Sequence, residues 1–274
     1  MPSQPLPTIT ASLKFMVPMD EKPQVFMNVN QAEVNERTGE FHMVDLGVTD
    51  ARACDDPPEL DREGFALVLT PTAVSDFYDE AQITGIYYPE CIKLLKAQTG
   101  ASEVHIFDHT LRVQDTSKRE KHGTRLPVPI AHNDYTEHSA PQRVRDLLER
   151  EKAQAFLSGR FAMVNVWRSF GQSAEQFPLA AADGRTVPQH DFIAVDIVYH
   201  DRTGEIYQNA YSEGQRWYYF SNMTHDEAML LKCFDTASDG RTRYTAHTGF
   251  ENPNAPEGTP PRESIEVRTL LSFA

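Results

Sequence analysis

The sequence is poor in cysteine. Its 274 residues include three, Cys54, Cys91 and Cys233, which lie far apart and form no Cys-x-x-Cys pair. This excludes a disulfide-stapled secreted scaffold and a cysteine zinc knuckle, and a few scattered thiols are typical of a reducing compartment. We expect each thiol to be a small core residue rather than a nucleophile, and we expect the protein to be cytoplasmic.

Other absences narrow the class of function. No apolar run approaches the roughly 20 residues of a membrane span, and the N-terminus has no basic region followed by an apolar core. Basic residues are outnumbered, since 26 Lys and Arg face 40 Asp and Glu for a net charge of −14. Such a charge repels nucleic acids and anionic membranes, so we expect neither as a partner. The chain also lacks a Gly-rich phosphate loop and internal repeats.

What the chain does contain is a short extended run, residues 129–136, that includes His-x-Asp. Side chains two apart on a strand leave the same face about 7 Å apart, so His132 and Asp134 can close on one small cation. His247 is the best candidate for a third ligand. Two His and one carboxylate leave about three open positions on an octahedral Fe(II), where O₂ and a chelating cosubstrate can bind, so the pattern indicates an oxygenase.

A His-x-acid triplet alone is weak evidence. The chain has a second one at His225, and there Thr224 and Glu227 form Thr-x-x-Glu before the apolar residues 228–231. That pattern predicts a capping box at the start of a helix. The metal interpretation of His132 therefore needs support from another part of the chain.

The support comes from the C-terminal segment, which follows a proline-rich loop at residues 251–261. Its side chains alternate with the period of a strand whose one face packs and whose other face is polar. Arg262 and Ser264 point the same way, and a guanidinium fork beside a hydroxyl suits a carboxylate held by two hydrogen bonds. The polar face carries Arg262, Ser264, Glu266 and Arg268, and the apolar face carries Ile265, Val267, Thr269, Leu271 and Phe273.

The order of these motifs resembles that of Fe(II)/2-oxoglutarate-dependent oxygenases, in which Arg-x-Ser grips the distal carboxylate of 2-oxoglutarate. More specifically, the chain resembles the cephalosporin 7-alpha-hydroxylase and gibberellin-desaturase-like group of small-molecule tailoring enzymes. The similar segments are residues 107–112 (FDHTLR), 132–136 (HNDYT), 141–145 (PQRVR), 165–168 (NVWR) and 262–268 (RESIEVR).

The resemblance implies a mainly β fold with flanking helices, the double-stranded β-helix or jelly-roll barrel. We expect one oxygenase domain over residues 1–274, with an N-terminal strand layer at 1–61 and the barrel core with its helices at 62–274. The resemblance also implies Fe(II) held by His132, Asp134 and His247, with 2-oxoglutarate and O₂ as cosubstrates. The expected reaction is hydroxylation, desaturation or oxidative ring closure at an unactivated C–H bond in secondary metabolism.

Several residues are candidates for binding the cosubstrate and the substrate. Arg262 with Ser264 is the favoured anchor for 2-oxoglutarate, while Arg268 shares the same face and is an alternative, as is the hydroxyl of Tyr219. Asn165 and Arg168, on one predicted strand, are candidates for the substrate. An acidic protein with an arginine in its pocket suits an amino-acid-like or other carboxylate substrate, and we expect that the protein can form a homodimer.

Three alternatives stay open at this point. The first is an iron oxidase that uses Arg-x-Ser for its substrate and takes no 2-oxoglutarate. The second is a zinc hydrolase with the same three ligands around an activated water. The third is a non-catalytic barrel in which His132 and His247 satisfy ordinary hydrogen bonds.

The rest of the sequence predicts flanking elements. Residues 73–79 favour a short helix, and Pro89 to Gly100 a longer one. A charged stretch at residues 116–125 indicates an exposed loop that could act as a lid. The segments 205–211 and 216–220, on either side of residues 212–215, predict a β-hairpin.

Overall fold

Two β-sheets form the body of the protein, and a computed structural model describes them over residues 6–27, 34–171 and 174–273. The described strands are β1 (Thr8–Met16), β2 (Gln24–Met27), β3 (Val34–Arg37), β4 (Phe41–Asp50), β5 (Phe65–Leu69), β6 (Glu103–Val113), β7 (His132–Asn133), β8 (Phe161–Ser169), β9 (Leu179–Ala182), β10 (Phe192–Val198), β11 (Thr203–Asn209), β12 (Trp217–Tyr219), β13 (Glu227–Asp235), β14 (His247–Gly249) and β15 (Glu263–Ser272). The α-helices are α1 (Glu80–Gln82), α2 (Tyr88–Thr99), α3 (Thr116–His122), α4 (Ser139–Leu147) and α5 (Arg150–Ser158), and a π-helical turn (Ile83–Tyr87) joins α1 to α2.

The strand order is that of a double-stranded β-helix. The larger sheet runs β1-β4-β12-β9-β14-β7-β11-β10-β2-β3, and the smaller runs β5-β13-β8-β15-β6. Neighbours in these sheets are mostly distant in sequence, which is how the short strands β7 and β14 come to lie side by side. The N-terminal strands join both ends of the larger sheet, so they extend the barrel wall.

The smaller sheet is buried on both faces because it separates two apolar cores. Met163, Trp167 and Leu270 face the barrel interior, whereas Val164 and Val267 face the helical layer around α2. All nine residues of β8 are buried. The alternation predicted for the C-terminal strand is confirmed, with its apolar face packed against the helical layer outside the barrel.

The predicted hairpin at residues 205–220 is wrong. β11 pairs with β10 and β7, whereas β12 pairs with β4 and β9. The actual hairpin joins β10 to β11 through residues 199–202. Both segments have the composition of strands, but the choice of partner depends on contacts across the barrel that local pattern does not encode.

The helix predicted after Thr224 is also wrong. The backbone N–H of Thr224 does donate to Glu227, 2.8 Å away, as in a capping box. Residues 228–231 nevertheless form the centre of β13, between β5 and β8. A short apolar run buried on both faces fits a helix or a strand equally well by periodicity, and here the neighbouring strands decide.

The flanking helices differ from prediction in detail. The longer helix at Pro89 is confirmed as α2, which ends at Gly100 in the left-handed conformation that glycine adopts readily. Residues 73–79 are not helical, whereas residues 116–122 form α3 with the side chain of Asp115 as its N-cap. No helix in the described ranges is long and apolar enough to cross a bilayer.

Candidate functional site

His132, Asp134 and His247 come together on the inner face of the larger sheet. β14 pairs with β7 so that His247 lies directly opposite His132, and their ring centroids are 4.4 Å apart. One ligand atom from each of the three residues lies within 4.8 Å of the others. The 113-residue separation between Asp134 and His247 is thus closed by strand pairing, and the three side chains are placed where they could bind one metal ion on one face.

The tautomer of His132 leaves one nitrogen free for a metal. Its Nδ1 lies 2.7 Å from the carbonyl oxygen of Ile130, and because a carbonyl only accepts, Nδ1 must carry the proton. In the neutral ring Nε2 then holds a lone pair, and this atom lies 3.5 Å from Oδ1 of Asp134. A backbone carbonyl on the second ring nitrogen is the usual way in which a metal-binding histidine is oriented.

His247 is buried with no partner for either ring nitrogen among the described residues. It is 2% exposed, and burial lowers its pKa from 6.5 to about 3, with the neighbouring His132 acting in the same direction. A buried polar group without a partner costs free energy unless something binds it. This observation contradicts the non-catalytic alternative, in which the two histidines would satisfy ordinary hydrogen bonds.

Asp134 is the anionic member of the set. Burial by itself would raise its pKa, but the positive charge of Arg268 and the neighbouring histidines hold that pKa well below its usual value. The amide of Asn165 donates to Oδ2 of Asp134 over 2.7 Å, and Nε of Arg268 lies 3.3 Å from the same oxygen. Oδ1 remains on the side of the histidines.

The pKa of His247 predicts how the stability of the metal-free protein depends on pH. Below about pH 6.5 the unfolded chain takes up a proton at this residue that the folded chain refuses until about pH 3. The contribution of His247 to the free energy of unfolding is therefore greatest above pH 6.5 and should fall by roughly 1 kcal/mol per pH unit below it. Urea unfolding with EDTA near pH 7 and pH 5 measures this slope. His247→Gln should flatten this slope, and an unchanged slope in that variant would show that His247 is not the residue responsible for it.

Arg262 is a second buried polar residue on the inner side of the barrel. Its guanidinium is 2% exposed, lies over the Trp167 ring at 5.1 Å, and donates to Ser264 Oγ and to the carbonyl of Phe177, both at 3.0 Å. No carboxylate of the described residues is within ion-pair distance of it. Burial and the positive charge of Arg112 lower its pKa to about 9. A buried cation without a counter-ion is a strong site for an anionic ligand.

Gly249 lies between His247 and the guanidinium of Arg262. It lies two residues after His247, so their positions face the same side of β14 about 7 Å apart. A Cβ atom at Gly249 would come within 2.4 Å of the Phe177 ring and 3.2 Å of Arg262 Nη1. The absence of a side chain therefore lets the guanidinium approach the strand that carries the metal ligand.

Arg268 has other partners. Its guanidinium contacts Asp134, donates to Asp108 Oδ2 at 2.9 Å and Thr110 Oγ1 at 2.8 Å, and pairs with Glu266. All its charge is thus compensated by carboxylates of the chain itself, and it lacks the free donors that a cosubstrate anchor needs. Arg262, the residue immediately before β15, and Arg268 within it point to the same side, as the alternation predicted, but their surroundings are opposite in charge.

Three other predicted site residues lie in different places. Asn165 contacts the His-Asp-His set through its hydrogen bond to Asp134. Arg168 lies on the opposite face of β8, where it donates to the hydroxyl of Tyr87 and to the carbonyl of Thr70, so it supports the helical layer and does not reach the cluster. Tyr219 packs edge-on against Phe250, 5.8 Å between centroids, and burial raises its pKa.

Sequence reasoning missed the residues that fix Arg268. Strands β6 and β15 shift register between Arg268 and Thr269, which leaves Phe107 as the extra residue of a bulge. Beyond the bulge, Asp108 and Thr110 both turn towards Arg268. Asp108 and Thr110 share a face of β6 by alternation, but the register between β6 and β15 decides which residue they face, so the sequence of β6 alone gives no signal for their contact with Arg268.

A double-stranded β-helix with a buried His-Asp-His set and an adjacent unpaired arginine defines a mononuclear non-haem metal oxygenase. Comparison with known proteins agrees. The model of the family described as "Oxidoreductase/YMDC permease-like domain" matches residues 13–272. The chain is 33% identical over 246 residues to the hydroxylase/desaturase efuI of Hormonema carpetanum, covering 82% of each chain. It is 32% identical to the Fe(II)/2-oxoglutarate-dependent dioxygenase nvfI of Aspergillus novofumigatus, covering 81% of each.

The solved structures give the same result. The iron and alpha-ketoglutarate-dependent endoperoxidase NvfI superposes with a TM-score of 0.86 at 28% identity, over 97% of this chain and 98% of that one. The chain belongs to the Fe(II)/2-oxoglutarate-dependent dioxygenases. It is an oxidoreductase that uses Fe(II), 2-oxoglutarate and O₂ to oxidise a C–H bond of a small molecule.

Proposed function

We propose that His132, Asp134 and His247 hold the Fe(II), and that Arg262 with Ser264 holds the distal carboxylate of 2-oxoglutarate. The observation that carries the proposal is the buried guanidinium of Arg262, which has no carboxylate partner among the described residues. It lies beside Gly249, and Gly249 is about 7 Å along β14 from His247. A five-carbon dicarboxylate can span this separation with its keto-acid end at the metal. The zinc hydrolase alternative has no use for such a cation.

Bound Fe(II) with 2-oxoglutarate and O₂ supplies the oxidising power, and succinate and CO₂ are released. The chain's own residues provide geometry and exclude water. Trp167 and Phe177 enclose Arg262 with aromatic rings, and in a dry pocket its charge acts on a carboxylate more strongly than it would in solvent. The Ser264 hydroxyl lies 3.0 Å from Arg262 Nε and orients the guanidinium.

The visible spectrum of the anaerobic protein tests the proposal. A weak metal-to-ligand charge-transfer band should appear only when both Fe(II) and 2-oxoglutarate are present. Bound iron without such a band would point instead to an oxidase that uses Arg262 for its substrate.

We propose further that the substrate carries a carboxylate, as an amino-acid-like molecule does. The supporting residue is Arg143 on α4, whose guanidinium lies over the Phe107 ring at 5.1 Å. Phe107 packs against the barrel interior, and the charge of Arg143 reaches the phenol of Tyr135, the residue after Asp134. In the described part of the chain no carboxylate is within ion-pair distance of Arg143, so its N–H donors are available to a ligand near the metal.

Arg143→Ala should raise KM for the substrate roughly 10- to 100-fold with a smaller effect on kcat, because one charge-assisted contact is lost. A panel of small carboxylic acids and their methyl esters, screened by stimulated succinate formation, supplies the substrate. Arg145→Ala is the matched control, since Arg145 is exposed on the same helix. Equal effects of the two substitutions, or an ester that binds as well as its acid, would contradict the proposal.

The outcome at carbon is hydroxylation, desaturation or ring closure, and turnover under ¹⁸O₂ separates the first from the other two. Only hydroxylation leaves labelled oxygen in the product.

The remaining proposals concern the whole protein. We propose one oxygenase domain, supported by the N-terminal strands that pair into the barrel sheet, and a cytoplasmic location, supported by the free thiols of Cys54, Cys91 and Cys233. A homodimer stays a prediction that light scattering of the purified protein would test.

A further inference from the structure

One oxygen of Asp134 is fully occupied by the protein. Oδ2 receives the amide of Asn165 at 2.7 Å and faces Nε of Arg268 at 3.3 Å. Oδ1 lies 3.5 Å from Nε2 of His132 and faces the metal cluster. The two oxygens of this carboxylate are therefore in different chemical environments.

Both donors to Oδ2 are themselves held in place. The guanidinium of Arg268 is tied to Asp108 Oδ2 at 2.9 Å and Thr110 Oγ1 at 2.8 Å, and it also pairs with Glu266. Asp108 lies directly opposite Arg268 in the pairing of β6 with β15, and Thr110, two residues further on, shares its face of β6. Three groups thus fix the position of the guanidinium that faces Asp134.

Asn165 is completely buried at the centre of β8. Its side-chain nitrogen must face Asp134, because a carboxylate only accepts hydrogen bonds. Its side-chain oxygen has no partner among the described residues. Burying the amide oxygen without a partner costs free energy, so the hydrogen bond from the amide nitrogen to Asp134 is the contact that accounts for an asparagine at this position.

We propose that Asn165 and Arg268 are positioning residues that hold Oδ2 of Asp134, so that this residue binds the metal through Oδ1 alone. The proposal rests on the metal site proposed above. Two histidine nitrogens and one carboxylate oxygen together fill three of the six positions of an octahedral ion and leave three open. Three is the number that a two-point chelator and O₂ require together, whereas a carboxylate bound through both oxygens would leave two.

This role differs from those predicted from the sequence, in which Asn165 bound substrate and Arg268 was an alternative anchor for 2-oxoglutarate. It also gives separate roles to Arg268 of β15 and to Arg262, the residue immediately before that strand. Arg262 is left unpaired for a ligand, while Arg268 is neutralised by the chain's own carboxylates.

Titration of the metal-free protein with Mn(II) and Co(II), without 2-oxoglutarate, tests the proposal. Asn165→Ala and Arg268→Gln should each weaken metal binding roughly 10- to 100-fold, the usual effect of removing an outer-shell partner. The visible absorption of the Co(II) protein should also change, because the freed Oδ2 can enter the coordination sphere. Arg268→Lys keeps the charge and should recover part of the affinity.

Asn209→Ala is the matched control, since Asn209 is also a buried amide but bonds the carbonyl of Ala210. Wild-type affinity and an unchanged Co(II) spectrum in both Asn165→Ala and Arg268→Gln would overturn the proposal. Should Arg268→Gln fail to fold, Asn165→Ala and Arg268→Lys carry the test. If the wild-type protein binds neither ion, the metal site itself is wrong, so the two failures are distinguishable.

Discussion

Replacing His132, Asp134 or His247 by Ala should abolish both iron retention and turnover while the fold persists. Each substitution removes one of three ligands, and the remaining two cannot hold Fe(II) against dissociation at micromolar metal. Iron content after gel filtration and succinate formation measure the two losses. An active triple-Ala protein would end the hypothesis of a metal centre here.

The fold should survive because these side chains contribute little to stability without metal. Neither ring nitrogen of His247 has a partner in the part of the chain that the structure describes, so His247→Ala removes no hydrogen bond seen there and costs only the cavity that it leaves, on the order of 1–2 kcal/mol. Asp134→Ala leaves Arg268 with Asp108 and Glu266 as partners. Urea unfolding of the metal-free variants checks this.

His225→Ala is the matched control. His225 belongs to the second His-x-acid triplet, and its side chain is 41% exposed beside Asp226. This variant should retain iron and full activity. Loss of iron from it would mean that the choice between the two triplets was wrong.

Arg262→Ala should raise the 2-oxoglutarate concentration needed for turnover about 30- to 1,000-fold. The lost interaction is a buried, charge-assisted contact with a carboxylate, worth roughly 2–4 kcal/mol. Iron affinity should be unchanged, because Arg262 does not contact the His-Asp-His set. Turnover against 2-oxoglutarate at saturating Fe(II) gives the first quantity, and metal titration gives the second.

Two variants sharpen this test. Arg262→Met keeps an unbranched side chain between Trp167 and Phe177 and removes a buried cation that has no counter-ion. Its free energy of unfolding should equal or exceed that of the wild type, although it binds 2-oxoglutarate poorly. Arg268→Ala should weaken metal binding instead. If Arg268→Ala raises the 2-oxoglutarate requirement at saturating metal and Arg262→Ala does not, the anchor is Arg268.

Much of the site follows from local pattern. His132 and Asp134 are two residues apart on an extended segment, and Arg262 and Ser264 are two apart on an alternating strand. This spacing fixes which side chains share a face wherever the strand finally lies. The residue types then determine the chemistry, since imidazole, carboxylate and guanidinium have few other uses in such combinations.

Local pattern failed where two strands compete or meet. The segment around Tyr219 has the composition of a hairpin arm, yet it pairs with β4 and β9. Residues 228–231 fit a helix by local pattern, but in the structure they form a strand that pairs with β5 on one side and β8 on the other. In both cases the deciding free energy comes from burial against partners distant in sequence.

The sequence by itself predicted the candidate ligands, the candidate carboxylate-binding motif and the class of fold. Only the tertiary structure decided which partners surround each of the two arginines in the C-terminal segment, Arg262 and Arg268. Arg262 and Arg268 are equivalent by alternation, and they differ because the pairing of β6 with β15 places Asp108 opposite Arg268, while Trp167 and Phe177 enclose Arg262. The charge state of a pocket depends on which carboxylates the fold brings near, and strand pairing sets that at long range.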